Sequence, residues 1–245
     1  GPPGTGKTFI AEKLAKVLKG DKGGLIETVQ FHPSYSYEDF IEGIRPELND
    51  HQITYDLKPG RFLEFCDDAR GTDGYAILII DEINRANLSR VFGELMYLLE
   101  YRDKEIPLSG GSMFKIPDNV YLIGTMNTAD RSIALVDHAL RRRFTFIHIA
   151  PQYEILQKRL EEDNLPALSL VNVLKNINNQ INDRNYEVGI SYFMKYEENL
   201  KAFLPDIWEG EIEPYLEEYF FDQQDQVDAF RWEKLKEQQL TDWVD

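Results

Sequence analysis

The sequence predicts an α/β fold, a parallel sheet flanked by helices, with a separate helical domain after it. Three observations carry that prediction. Short runs rich in Ile, Val and Leu at 25–31, 75–80, 120–126 and 145–149 alternate with amphipathic stretches, and strands apolar on both faces belong to parallel sheets covered by helices. The chain opens on Gly1-Pro2-Pro3-Gly4-Thr5-Gly6-Lys7-Thr8, a glycine-rich turn running into a helix. After Pro151 the strand-like runs stop and only helical periods remain.

Taken in order, the stretch from Thr8 to Leu18 places Phe9, Ile10, Leu14, Val17 and Leu18 on one helical side, which predicts a core-facing helix. Leu88, Val91, Phe92, Leu95, Met96 and Leu99 repeat the pattern later. Two turn-rich inserts, 49–60 and 102–118, alternate as β-hairpins do. Helical periods follow at 153–162, 168–184, 197–203 and, with breaks, 211–240. The boundary between the domains falls at the loss of strand signal, giving an α/β domain over 1–149 and a helical domain over 150–245.

Composition narrows the function classes. The 245 residues are 42% hydrophobic and 29% charged, as folded globular chains are. The net charge is −16, which opposes nonspecific binding to a phosphate backbone by the chain as a whole. Residues 196–245 hold fifteen acidic and four basic side chains, a balance of −11, so the first 195 residues carry only −5. No run of about 18 apolar residues signals a membrane span, and a single cysteine, Cys66, excludes an internal disulfide. The expectation is a cytoplasmic protein without membrane contact.

Four constellations carry chemistry. In the opening loop Gly1-Pro2-Pro3-Gly4-Thr5-Gly6, taken as nucleotide-binding throughout (Gly1, Pro2, Pro3, Gly4, Thr5 and Gly6), the glycines let the backbone turn so that successive N–H groups point at phosphate oxygens. The helix dipole adds to that field, Lys7 supplies a mobile cation, and the Thr8 hydroxyl is a ligand for Mg²⁺. The strand Ala76-Ile77-Leu78-Ile79-Ile80 ends in Asp81 and Glu82. A buried strand ending in paired acids points to a cation held by Asp81 and a reacting water oriented by Glu82. The next strand ends in Asn127-Thr128-Ala129-Asp130, where the neutral amide of Asn127 can bond both a γ-phosphate and the attacking water. Arg141-Arg142-Arg143 suits the boundary with a neighbouring subunit, where guanidinium groups neutralise transferring phosphate; Arg85 and Arg90 could face a neighbour or plain solvent.

The order of these motifs, followed by a helical domain, resembles the AAA+ ring-forming NTPases. Within them, Asp81-Glu82-Ile83-Asn84-Arg85-Ala86-Asn87, the run Met126 to Ser132 and Ala139-Leu140-Arg141-Arg142-Arg143-Phe144 are similar to the motor domains of the McrB family, the GTPase subunits of methylation-dependent restriction systems. Tyr186 to Phe193 matches the family's Gly-x-Ser-aromatic lid stretch more loosely. The resemblance implies a sheet of order 5-1-4-3-2, with the first strand lying before Gly1 and so missing from this chain, and a small helical lid. It implies a hexameric ring that hydrolyses GTP, binds an McrC-like nuclease subunit and translocates DNA. Asp130 then belongs to the signature beside the γ-phosphate, Arg142 and Arg143 act in trans, and Ser191 lies where the lid approaches the nucleotide.

The residues alone leave GTP against ATP open, because the loop contacts phosphates common to both. An ATP-dependent remodeller of protein complexes and a nucleotide-dependent assembly module are the competing readings. The intact Glu82 opposes the latter. His32, His51, His138 and His148 lack metal-ligand spacing, so zinc is not expected.

Overall fold

The structure is a computed structural model and describes residues 1–21, 23–49, 52–130, 138–195 and 199–244. Two compact units emerge: a sheet unit (residues 8–126 and 130–147) and a helical unit (residues 1–7, 127–129 and 148 onward).

In the sheet unit, α1 (Lys7–Lys19) leads into β1 (Leu25–Gln30), and a short α2 (Tyr37–Phe40) precedes the antiparallel pair β2 (Glu42–Asn49) and β3 (Gln52–Pro59). Next come α3 (Arg61–Arg70), β4 (Ala76–Asp81), α4 (Leu88–Phe92) and α5 (Leu95–Glu100). A small hairpin, β5 (Ile106–Pro107) with β6 (Met113–Phe114), precedes β7 (Val120–Gly124) and α6 (His138–Arg141). The described sheet is parallel, in the order β1-β4-β7. That order is the 4-3-2 part of the sheet expected from the sequence.

Ala76 to Ile80 of the central strand β4 are fully buried, as a strand covered on both faces requires. Ala76, Leu78 and Ile80 face the main core with Phe40, Phe62, Val91 and Phe92, while Ile77 and Ile79 face Ala11 and Ala15 of α1. Here the expected face of the first helix is corrected. Two alanines, not the bulky stripe, meet the sheet, because small side chains let the helix approach closely. Phe9 and Val17 are left 61% and 77% exposed.

Three more expectations change. Residues 145–149 form no strand; among the described residues no strand lies beside them to supply a ladder, and Ile147 is exposed. The helix expected over 88–99 breaks in two at Gly93, whose φ of +48° favours glycine. The first hairpin begins at Glu42 rather than Asn49. Its faces separate cleanly: Ile44, Pro46 and Leu48 pair across with Leu57, Tyr55 and Ile53 on one side.

The helical unit is built from α7 (Tyr153–Glu162), α8 (Ala167–Ile181), α9 (Leu200–Ile207), α10 (Glu213–Tyr219), α11 (Gln224–Asp228) and α12 (Trp232–Gln238). Its core centres on α8, where Leu170, Val171, Leu174 and Ile177 pack with Leu204, Trp208, Leu216 and Leu235. All three tryptophans, Trp208, Trp232 and Trp243, are buried in it. The Trp208 indole N–H donates to the Phe230 carbonyl at 2.7 Å, so its polar atom carries no desolvation penalty. No helix among the described residues is long and apolar enough to cross a membrane.

Candidate active site

The phosphate-type loop belongs to the helical unit. Gly4 and Gly6 have φ of +73° and +77°, a conformation that costs other residues about 1–2 kcal/mol. The Pro2 carbonyl gathers two bonds, from the Thr5 hydroxyl at 3.0 Å and from Lys7 Nζ at 2.7 Å. The Gly1 carbonyl accepts from the Thr128 N–H at 3.1 Å, and the Asn127 side chain accepts from the Ala129 N–H at 3.3 Å. The Pro3 and Gly4 carbonyls accept from the N–H groups of Gly189 (3.1 Å) and Ser191 (2.8 Å). Ser191, expected near a nucleotide from sequence, therefore touches the loop through its main chain.

In the sheet unit, β4 delivers Asp81 and Glu82 to the carboxyl end of the sheet, where ligands of open α/β sheets bind. The Thr8 hydroxyl donates to Asp81 Oδ1 at 2.9 Å, across 73 residues of sequence. Thr125, just beyond β7 and buried, donates its hydroxyl to the same oxygen and accepts the Glu82 N–H at 3.2 Å. Glu82 itself sits at φ +53°, an uncommon conformation for a non-glycine residue, and it opens the turn Ile83–Arg85. The turn is tied down where the Ile83 N–H meets the Thr125 carbonyl at 2.9 Å.

Arg85 lies between two of the predicted carboxylates. Its Nε is 3.4 Å from Glu82 Oε2, an ion pair without hydrogen-bond geometry, and its Nη2 is 3.6 Å from Asp130 Oδ2. Gln30, Phe31, His32 and Pro33 join Glu82 and Arg85 around a half-open cleft of about 380 Å³. The β1 register places Gln30 beside Asp81, and the Phe31 N–H reaches the Asp81 carbonyl at 2.9 Å. In the segment after β1, Phe31 stacks on Tyr35 and meets Phe40 edge-on.

The arginine cluster divides. Arg142 is exposed, Arg143 pairs with Glu100 at 2.8 Å, and Arg141 lies over the Phe146 ring. Arg131 and Ser132, at the end of the run from Met126, lie outside the described residues. Among the described residues no group of three or more His, Cys, Asp or Glu could hold a metal. Sequence reasoning missed Thr125, whose position after an apolar strand carries no local signal, and it left Arg85 undecided.

Comparison with known proteins gives two family matches. Residues 1–144 match the AAA domain of the dynein-related subfamily, and residues 169–228 match the McrB alpha-helical lid domain. The chain is 43% identical over 91% of its length to the type IV methyl-directed restriction enzyme EcoKMcrB subunit of Escherichia coli K12, covering 53% of that protein. It is 29% identical over 61% of its length to the type II restriction enzyme BsuMI component YdiS of Bacillus subtilis 168, covering 55% of it. The chain thus spans about half the length of these curated relatives. A helix-flanked parallel sheet that couples a P-loop threonine to a strand-end aspartate, followed by this lid, places the chain in the AAA family of P-loop NTPases, in its McrB-type branch.

Proposed function

We propose that this chain is the nucleoside-triphosphate hydrolase motor of an McrBC-like restriction system, hydrolysing GTP to drive DNA translocation and cleavage by a partner nuclease. The observation that carries hydrolysis is the Thr8–Asp81 bond with Glu82 next in the chain. A hydroxyl and a carboxylate held 2.9 Å apart are hard oxygen donors that fit Mg²⁺, which takes one or two protein ligands and leaves its other positions to phosphates and water. Thr8 and Asp81 are the residues that would hold it, and once bound it would neutralise charge on the outer phosphates.

The chain's own groups supply the rest. The loop Gly1 to Gly6 directs the main-chain N–H groups of Gly4, Thr5 and Gly6 at the phosphates, and Lys7 leaves the Pro2 carbonyl for a phosphate oxygen. Glu82 accepts a proton from the attacking water, and Asn127 orients that water against the γ-phosphate. Asp130 holds Arg85, and through it Glu82, in place. In a ring of copies, most simply a hexamer, Arg142 projects toward the neighbouring site while Glu100 fixes Arg143 behind it. The domains are taken as 1–149 and 150–245.

The restriction role is supported by both curated relatives, which are named as a subunit and a component of restriction enzymes. The reading therefore includes an McrC-like nuclease subunit as partner and DNA as the assembled complex's substrate. The test measures steady-state GTP and ATP hydrolysis by the full-length protein, with and without the product of the adjacent gene. Glu82→Gln is expected to bind nucleotide normally while turnover falls about 100-fold or more. GTP turnover stimulated by the partner supports the reading, and turnover of ATP alone moves the protein to the remodellers.

A further inference from the structure

We infer that Tyr192 is a positioning residue of the phosphate loop, and that the segment from Gly189 to Tyr192 sets the direction of the loop's anion-binding N–H groups. The inference rests on the reading that this loop holds nucleotide phosphates.

The argument starts from the trans peptide, in which the carbonyl and the following N–H point in opposite directions. The Gly4 carbonyl is pinned by the Ser191 N–H at 2.8 Å, so the Thr5 N–H of the same peptide plane points away from the segment. The Pro3 carbonyl is pinned by the Gly189 N–H at 3.1 Å, which aims the Gly4 N–H likewise. Two carbonyl oxygens that would repel an anion are thereby turned out of the loop, and two donors that would attract one are turned in.

The fit leaves no slack. A Cβ on Gly189 would lie 2.0 Å from the Gly4 carbonyl carbon and 2.5 Å from the Thr5 nitrogen. A Cβ on Gly4 would lie 2.5 Å from Cε2 of Tyr192 and 2.9 Å from its Cδ2. The Cδ2–Cε2 part of the Tyr192 ring thus occupies the place that a side chain on Gly4 would take, and the same residue packs on the helical core. No other described residue comes as close to that face. The ring keeps the segment in register with the loop, and through it the helical core is coupled to the state of the loop. Tyr192 needs its plane for this and not its hydroxyl.

The experiment compares Tyr192→Ala and Tyr192→Phe with the wild type in the full-length protein, by titration with fluorescent GTP and ATP analogues and by steady-state hydrolysis. The expected result is a Kd and KM raised about tenfold or more in Tyr192→Ala, with kcat changed less than threefold and Tyr192→Phe matching the wild type. Thermal unfolding monitors the fold, and Tyr192→Leu, which keeps apolar bulk but no flat ring, replaces the alanine variant if that one unfolds. Wild-type affinity in a folded Tyr192→Ala or Tyr192→Leu protein overturns the inference, as does equal impairment of Tyr192→Phe. If the wild type binds neither analogue, the nucleotide reading itself falls and this inference with it; the two failures are told apart by that control.

Discussion

Replacing Thr125 with valine removes one hydroxyl of nearly unchanged shape, and two consequences can be worked from the site. The hydroxyl donates to the Asp81 carboxylate, and a bond to a charged group contributes about 1.5–3 kcal/mol. It also accepts the Glu82 N–H at 3.2 Å; losing that acceptor in a buried place costs roughly 1–3 kcal/mol more. Glu82 is held in a left-handed conformation that itself stores about 1–3 kcal/mol, so the strand end has reason to relax once its anchor is gone. Stability should fall by roughly 3–5 kcal/mol, and the displaced Glu82 should lower kcat about 100-fold, the cost of a misplacement near 1 Å. Thr125→Ser, which keeps the hydroxyl, should retain most activity. Denaturant unfolding followed by circular dichroism and single-turnover hydrolysis check the two halves separately. A folded Thr125→Val protein with wild-type kcat, or a serine variant as impaired as valine, would refute the reasoning.

Three further outcomes are expected. Arg85→Ala removes the cation between Glu82 and Asp130, a half-exposed pair of roughly 1 kcal/mol; kcat should fall about fivefold to tenfold, less at high salt, as steady-state rates at two ionic strengths will show. Glu187 has a buried carboxylate oxygen without a hydrogen-bond partner, and burial, then the charge of Asp183, raises its pKa above the ordinary 4.5. A carboxyl with a raised pKa costs nothing below its unfolded value and its full penalty above the folded one, so Glu187→Gln should raise the denaturant midpoint at pH 7, by a small amount since the group is partly solvent-screened, and leave the midpoint near pH 4 unchanged. Trp208→Phe leaves the Phe230 carbonyl without its 2.7 Å donor and opens space in a fully buried site; equilibrium unfolding should show a loss of about 2–4 kcal/mol.

What could be read from sequence was what is local in the chain. The phosphate loop is eight contiguous residues whose glycines have a conformational reason to be there, and the Asp81-Glu82 pair announces itself by contradicting the apolar run before it. Thr125 could not be read, because its importance lies in meeting Asp81 from a different strand. The expectation of a strand at 145–149 failed for a related reason: a short apolar run shows that a segment can pair, while only a neighbour makes it do so. In β2, Pro46 sits inside the strand because a two-stranded ribbon leaves one edge unpaired and tolerates the missing N–H. Helix α1 shows a further limit, since periodicity marked its bulky stripe and the sheet took the alanine face.

The placement of the tryptophans also decides which optical probes can see which part of the chain. Trp208, Trp232 and Trp243 all lie in the core of the helical unit, so indole emission reports on that core and is silent about the sheet. A melting curve read at tryptophan wavelengths follows the helical core directly, and an emission change on adding nucleotide reports on the surroundings of those indoles. A single tryptophan placed at Phe31, beside the cleft, would give the silent half a signal of its own.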